Sequence, residues 1–252
     1  MRLQGQVAEK ENSPVGEALP LVVSAGAPVY GGYVIARNEK VIFIKGAVPG
    51  ELLEVSVEEK KRDYSVASVK NIIEPSSFRR TPPCRLFGIC GGCQLQFVEY
   101  GRQISMKEEI LLDAMKRIGD VSIALSPSLV GGEFGYRHRA QFKVSSDGTV
   151  GFYREGSRDV VPVDECPLMV DRINDVLRKM KAMNLGGMRE VHMASGDTAT
   201  VLIKGNPPSP DEAVQQMMDA GVAGIAFENG DSVGRDYVTL PLFGLKYSVT
   251  PW

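Results

Sequence analysis

The sequence is poor in the residue types that usually carry enzyme chemistry. Its 252 residues include two histidines, four cysteines and one tryptophan. It contains no glycine-rich phosphate loop after a buried strand and no Ser/His/Asp set, so it predicts no catalytic residue within this chain. No apolar run approaches the roughly 18 residues needed to cross a membrane, and no signal-peptide core is present. We therefore expect a protein of the reducing cytoplasm without a membrane partner.

The four cysteines are spaced as a triplet and a single distant residue. Cys84, Cys90 and Cys93 follow the pattern C-x5-C-x2-C, and Cys166 follows after seventy-two intervening residues. Cysteines with two residues between them are poorly placed to bridge one another. Three clustered thiols plus a remote one are typical of a metal site, and the two glycines between Cys90 and Cys93 suggest a tight turn there.

The identity of the metal follows less directly from the spacing. Four thiolates suit either a structural zinc ion or an iron–sulfur cluster. Zinc sites usually consist of two short cysteine pairs, and this chain has only one, so the spacing favours the cluster. Zinc and reduced structural thiols stay open as alternatives. In each metal-bound case no thiol is left over to act as a nucleophile.

Positive charge is concentrated just before the cysteines. The whole chain has a formal charge of −2, but residues 60–85 carry seven basic and two acidic side chains. Lys60, Lys61 and Arg62 fall in a predicted turn between two strands. A solvated basic loop is the ordinary explanation of such a run, and a surface for backbone phosphates is the sharper one.

Strand and helix patterns divide the chain into two folded parts. Residues 1–19 are polar and aperiodic and predict a flexible tail. Residues 20–78 hold several short strands with turn signals and no helical pattern, which predicts a small β-barrel of the OB type. Residues 79–252 mix hairpins with helices, so we expect an α+β fold there and for the protein as a whole.

Within residues 79–252, two amphipathic helices and one basic strand are predicted. Helical spacing covers residues 100–118 and 168–183. Residues 135–144 alternate as a strand whose polar face carries Arg137 and Arg139. Basic side chains with aromatic residues nearby are typical of RNA-binding surfaces, although an exposed strand kept soluble by charge has the same pattern.

Several motifs together resemble one family. Residues 41–51 look like part of the TRAM domain, an RNA-binding barrel. The cysteine triplet with its following Gln94-Leu95-Gln96, then residues 135–140, 151–154 and 164–168, recur in the same order in the S-adenosylmethionine-dependent RNA uracil-5-methyltransferases. The likeness covers residues 20–170 well and the remainder loosely. The cysteine motif is the most specific part of it.

The resemblance implies cofactors, partners and roles for the cysteines. In that family the matching Cys84, Cys90, Cys93 and Cys166 hold a 4Fe–4S cluster. The partner would be structured RNA, with ribosomal RNA favoured over transfer RNA. From the charge pattern we expect its contacts to come from Lys60, Lys61, Arg62, Arg137 and Arg139. We expect a monomer.

The family's chemistry is carried out in a C-terminal Rossmann-like domain that binds S-adenosylmethionine. Residues 247–251 resemble the segment that leads into that domain. We therefore expect S-adenosylmethionine to belong to the full-length enzyme only, and this chain to be inactive alone. A free-standing RNA-binding or redox-sensing iron–sulfur protein and a zinc-stapled RNA-binding module are the alternative interpretations.

Overall fold

The computed structural model describes residues 21–252, which form two compact units divided between Ser77 and Phe78. The predicted flexible tail over residues 1–19 lies outside the described residues. Each unit is described by itself below.

The first unit is a single six-stranded sheet. Its strands are β1 (Leu21–Ser24), β2 (Pro28–Val29), β3 (Tyr33–Arg37), β4 (Val41–Lys45), β5 (Leu52–Lys60) and β6 (Tyr64–Glu74). They lie in the order β1-β5-β6-β4-β3-β2, with β4 and β6 parallel and the other pairs antiparallel.

The sheet of the first unit has one apolar face, and the segment after its first strand bonds back to β3. In β3 and β4 every second residue is buried, so one face of the sheet forms an apolar core. The Gly26 N–H donates to the Ile35 carbonyl (2.8 Å), and the Ile35 N–H donates to the Ala27 carbonyl (2.9 Å). The segment after β1 is therefore hydrogen-bonded to β3, while β1 itself pairs with β5.

A buried glutamate hydrogen-bonds to three stretches of this unit. Glu51 is fully buried and accepts hydrogen bonds from the backbone N–H groups of Val48 (2.8 Å) and Ser76 (3.2 Å). Its backbone carbonyl accepts from the Ala25 N–H. Three separate stretches of the unit thus meet at one residue.

The second unit combines a mixed sheet with three helices. Its helices are α1 (Tyr100–Arg117), α2 (Asp171–Met180) and α3 (Pro210–Asp219). Its strands are β7 (Arg139–Val144), β8 (Val150–Tyr153), β9 (Val160–Pro162), β10 (Met188–Ser195), β11 (Ala199–Gly205), β12 (Val222–Phe227), β13 (Ser232–Gly234), β14 (Val238–Leu242) and β15 (Leu245–Val249). Seven strands lie in the order β13-β12-β11-β10-β7-β8-β9, and β14 and β15 form a separate hairpin. The predicted α+β class is confirmed.

The two predicted amphipathic helices behave differently. On α2 the inward face is as expected, because Ile173, Val176, Leu177 and Met180 are all buried in the main core. On α1 the spacing predicts one apolar face made of Ile104, Leu111, Met115 and Ile118. That face is not buried: Leu111 is 47% and Ile118 is 79% exposed, and the other two are only partly buried. The buried positions of α1 are Gln103 and Met106 instead. None of the helices in residues 21–252 is long and apolar enough to span a membrane.

Candidate metal centre

All four cysteines line one cavity of about 70 Å³ in the second unit. We call Cys84, Cys90, Cys93 and Cys166 the cysteine site. Each side chain is half-buried, and none is in a disulfide. Most of the surrounding wall is apolar, and Arg137 is the basic side chain in it. Residues far apart in the chain are thus brought to one place, as the spacing predicted.

Three of the cysteines lie in residues 82–96, which we call the cysteine loop. This loop contains no helix or regular strand and is held by backbone hydrogen bonds. The Cys90 N–H donates to the Leu86 carbonyl (2.9 Å), and the Gly91 N–H donates to the Tyr153 carbonyl (3.0 Å). The Glu155 N–H returns a bond to the Ile89 carbonyl (3.1 Å). The loop is therefore tied to the end of β8.

The remote cysteine is held beside Arg137 by a short parallel bridge. The Arg137 N–H donates to the Leu168 carbonyl (2.8 Å), and the Val170 N–H donates to the Arg137 carbonyl (3.1 Å). This pairing explains why α2 begins at Asp171 rather than at residue 168 as predicted. It also separates Arg137 from Arg139, since β7 begins only at Arg139.

The predicted tight turn between Cys90 and Cys93 is present at Gly91 and Gly92, but it does not need the left-handed backbone of glycine. Gly91 and Gly92 do not adopt positive φ angles; Gly88 does, at 82°. Gly91 is needed for a close approach, because an added Cβ would lie 3.2 Å from the Glu155 Cα. A Cβ on Gly92 would lie 3.5 Å from the Cys90 sulfur, an ordinary contact distance.

The thiols of the cysteine site are electrostatically coupled. Burial raises the pKa of Cys90, Cys93 and Cys166, and neighbouring cysteines raise each of them further. A hydrogen bond from Gln96 and the charge of Arg137 act in the opposite direction on the pKa of Cys93. Because a metal ligand must be a thiolate, a group bound here would have to supply positive charge of its own.

The donor set fits an iron–sulfur cluster or a zinc ion in its chemistry. Four sulfur donors face one cavity, and both groups are held by such sets. Within residues 21–252, no three Cys, His, Asp or Glu side chains are arranged so that they would hold a metal ion as they stand. The predicted cluster therefore stays a prediction supported by the shared cavity.

The basic residues predicted to contact RNA lie in different settings. Arg137 is exposed and lines the cysteine cavity together with a neighbouring groove of about 530 Å³. Arg139 is exposed, and its guanidinium donates to the Trp252 carbonyl. Lys143, on the same face of β7, forms an ion pair with Glu190, and its ammonium lies 5.3 Å from the centre of the Tyr153 ring.

In the first unit, two of the three basic residues at positions 60–62 form ion pairs with acidic residues next to them. Lys61 forms an ion pair with Glu59, and the Arg62 Nε lies 3.2 Å from the Asp63 carboxylate. Lys60 ends β5 and is exposed. Hydrogen bonding to Glu59 raises the pKa of Lys61, so this side chain keeps its positive charge at neutral pH.

Both histidines are bonded to other parts of the second unit. The His138 Nδ1 lies 3.1 Å from the Ser195 carbonyl. His192 is buried, and its Nε2 lies 2.6 Å from the Glu190 carboxylate. Neither residue lines the cysteine cavity.

Known proteins similar to this chain were found by sequence. An uncharacterised RNA methyltransferase of Aquifex aeolicus is 32% identical over 251 residues, covering 92% of this chain and 59% of that protein. A 23S rRNA (uracil(1939)-C(5))-methyltransferase of Bordetella parapertussis is 34% identical over 178 residues, covering 66% of this chain and 38% of that protein. These relatives are RNA methyltransferases.

The chain thus spans less than two thirds of the length of each of these relatives. No protein-family model matches it. The comparisons give no support to the expectation that the methyl-transferring part is missing, and that expectation stays a prediction.

The fold is also similar to that of a solved structure. The tRNA (uracil-54, C5)-methyltransferase of Pyrococcus abyssi, determined in complex with S-adenosyl-L-homocysteine, aligns with a TM-score of 0.63. The alignment covers 91% of this chain and 59% of that one, at 19% sequence identity. At that identity the likeness establishes the fold alone.

Proposed function

We propose that residues 21–252 form the RNA-recognition portion of an S-adenosylmethionine-dependent RNA uracil-5-methyltransferase. The observation that carries the proposal is the shared cavity: four cysteines with the family's motif meet there, and Arg137 lies at the same place. The similarity to the Aquifex protein over 92% of the chain supports it independently.

In this proposal the cysteine site holds a 4Fe–4S cluster that acts as a scaffold. The cysteine loop has no regular secondary structure, yet it is hydrogen-bonded to the end of β8 and lies beside the Arg137 bridge. A cluster bound by all four sulfurs would fix these segments to one another, because it joins both ends of the connection between Cys93 and Cys166. When bound, the cluster supplies cross-links between segments, and the chain's own residues supply the contacts to RNA.

The exposed surface next to the cysteine site would bind RNA. Arg137 and Arg139 are both exposed, and Tyr153 is 38% exposed. Arginine binds phosphate through several N–H groups, and an exposed aromatic ring offers a stacking surface for an unpaired base. The Lys143 side chain is only 18% exposed and is paired with Glu190, so we assign phosphate contacts to the two exposed arginines and not to Lys143.

The first unit would form a second RNA surface, as a TRAM-like barrel of the OB type. Its strand order, the parallel β4–β6 pair and the bonds between Ile35 and the segment after β1 support a closed or nearly closed sheet. Such barrels often bind single-stranded nucleic acid. The contacts would come from Lys60, Lys61 and Arg62, at the turn between β5 and β6.

The partner in this proposal is ribosomal RNA, and the methyl donor of the complete enzyme is S-adenosylmethionine. Several relatives are named for 23S rRNA, whereas the structural neighbour is named for tRNA. We further propose a cytoplasmic monomer. We assign no catalytic residue to residues 21–252.

The salt dependence of RNA binding tests the proposal. The probe is an unmodified transcript of the 23S rRNA region around uridine 1939, the position for which the Bordetella relative is named. Arg137→Ala, Arg139→Ala and Lys60→Ala should each weaken binding several-fold and lower the slope of log affinity against log salt by about 1. Arg117→Ala is the matched control, since Arg117 is an exposed residue of α1 paired with Asp113.

Two results would count against the proposal. An unchanged salt slope in Arg137→Ala and Arg139→Ala would show that these side chains do not contact phosphate. Equal losses in Arg117→Ala would show a general charge effect without a defined surface. A tritium-methyl transfer assay on the same transcript provides a second test. Methyl transfer by this chain alone would overturn its assignment as a recognition portion only.

A further inference from the structure

Two buried amide side chains, one beside each part of the cysteine site, are bonded to its cysteines. Gln96 is 6% exposed and follows the triplet in the chain; Asn174 is 4% exposed and lies on α2. A buried amide costs free energy unless its donors and acceptor are used, so the partners of these two groups are informative. In both cases the partners include cysteines.

Gln96 joins two cysteines of the loop. Its Nε2 donates to the Cys93 sulfur (3.2 Å), and its Oε1 accepts from the Cys84 N–H (3.2 Å). Its own backbone carbonyl accepts from the Arg80 Nε (3.1 Å), and Arg80 is paired in turn with Glu133. Gln96 is therefore held at its backbone while its side chain spans the ends of the triplet.

Asn174 holds the backbone of the remote cysteine. Its Oδ1 accepts from the Cys166 N–H (2.9 Å), and its Nδ2 donates to the Cys166 carbonyl (3.1 Å). The same Nδ2 lies 3.5 Å from the Met169 carbonyl. Because α2 packs into the main core through Ile173 and Leu177, these bonds anchor Cys166 to the core of the unit.

We propose that Gln96 and Asn174 are positioning residues of the cysteine site, which preset its two separate segments for binding of an iron–sulfur group. The proposal rests on the cluster in the proposed function. Ligand-orienting hydrogen bonds of this kind typically affect metal affinity about 10- to 100-fold. Gln96 has a second effect that Asn174 lacks, since its N–H points at a sulfur and stabilises negative charge there.

The buried amide of Gln103 provides a matched control. It is 9% exposed and lies on α1, and its Nε2 donates to the Val98 carbonyl (2.9 Å). The same Nε2 lies 3.4 Å from the Glu133 carboxylate, which is linked to Gln96 only through Arg80. Neither partner of Gln103 is hydrogen-bonded to a cysteine. Gln103→Leu should therefore cost stability as a buried amide does, without altering the cysteine site.

The experiment is anaerobic reconstitution of the full chain with ferrous iron and sulfide, followed by transfer of iron to a chelator. Gln96→Leu and Asn174→Leu should release iron at least about tenfold faster than the wild type, and Gln103→Leu at the wild-type rate. Asn174→Asp keeps the acceptor for the Cys166 N–H and should recover part of the loss. Gln96→Glu keeps the acceptor for Cys84 but loses the donor to sulfur, so it tests that donor even if Gln96→Leu does not fold.

The midpoint potential separates a sulfur contact from a merely structural role. Reduction adds negative charge that an N–H donor stabilises, so loss of the Gln96 donor in Gln96→Leu should lower the potential. Asn174→Leu should leave it unchanged, because Asn174 bonds to the backbone of Cys166 and not to its sulfur. Equal release rates in Gln96→Leu, Asn174→Leu and Gln103→Leu, with an unchanged potential, would overturn the positioning role. The proposed cluster would not be affected by that result.

Failure of the proposed cluster gives a different result. A wild-type chain that takes up zinc but no iron and sulfide would refute the cluster, and the same variants would then be compared by their rates of zinc release. A wild-type chain that takes up neither metal would refute both the cluster and the positioning role.

Discussion

The sheet of the first unit and the cysteine loop of the second unit are stabilised by different means. The sheet buries ten apolar residues, and the segment after β1 is joined to it by backbone hydrogen bonds. The cysteine loop contains no regular secondary structure, and its cysteines are half-buried. This contrast favours hydrophobic burial as the main stabilisation of the sheet. The loop has only a few polar contacts and, in our proposal, a group bound by its thiols.

The largest effect is expected from Cys166→Ser, which removes the one sulfur that connects the loop to the remote segment. Iron uptake during anaerobic reconstitution should fall to a small fraction of the wild-type level, because a four-sulfur site loses a ligand. Hydrogen exchange resolved by residue should then increase in the cysteine loop and stay unchanged in β3 and β4 of the first unit.

Two outcomes of that experiment would contradict the contrast between loop and sheet. Full iron uptake by Cys166→Ser would show that Cys166 is not a ligand. Equal increases in exchange in both units would show that the sheet of the first unit is not stabilised separately from the loop.

Glu51→Gln is expected to have a smaller effect, which should destabilise the first unit and leave the cysteine loop of the second unit unaffected. Its carboxylate accepts two backbone N–H groups, and an amide can accept with only one of its two ends, so the free energy of unfolding should fall by about 1–3 kcal/mol. Iron uptake should be unchanged. Glu39→Gln, at an exposed turn position, is the control, and chemical denaturation measures the change.

If Glu51→Gln instead reduced iron uptake as much as stability, the two regions would depend on one another. Unchanged stability would show that the two N–H groups find other partners.

A third effect, confined to acid pH, tests the sheet of the second unit apart from its loop. Burial alone would raise the pKa of Glu190, but its bonds to Lys143 and His192 outweigh burial and lower the pKa to about 2, from 4.5. A lowered folded-state pKa stabilises the protein fully above pH 4.5, and this contribution is lost as the pH falls toward 2. The loss is on the order of 2 kcal/mol, a value reduced for partial exposure.

Acid titration of unfolding, with no metal added, measures this contribution. Glu190→Gln should remove that part of the pH dependence, because the amide does not titrate. Glu212→Gln, an exposed residue of α3, should retain it. A wild-type curve that is flat between pH 4.5 and 2 would contradict the assignment.

A structural feature of this protein can be predicted from the sequence when it depends on residues close together in the chain. The buried face of α2 was predictable because a helical repeat brings Ile173, Val176 and Leu177 to one side whatever surrounds them. The stripe on α1 has the same spacing, yet Leu111 is exposed. Periodicity states which residues share a face, and only the neighbouring segments decide which face is covered.

The basic strand illustrates the same limit. Alternation placed Arg137 and Arg139 on one strand, but the Arg137 backbone pairs with Leu168 and Val170, so its side chain lies at the cysteine cavity. Gln96 and Asn174 were missed altogether. Amides are common in such loops and helices, and nothing in their spacing distinguishes a residue bonded to a cysteine from one facing water.

Thiol chemistry and spacing are properties of the chain, so the sequence alone was enough to predict that four thiols without competing donors belong together. The α+β class was predictable for a similar reason, because strand and helix periodicities are local. The positions of Arg137 beside Cys93 and of Lys143 against Glu190, and the two buried amides that hold the cysteines, are visible only in the folded chain. The two contacts of Arg137 and Lys143 join residues far apart in the chain, and long-range packing creates them. The amide bonds join residues at most 12 positions apart, and they depend on how the cysteine loop and the start of α2 fold.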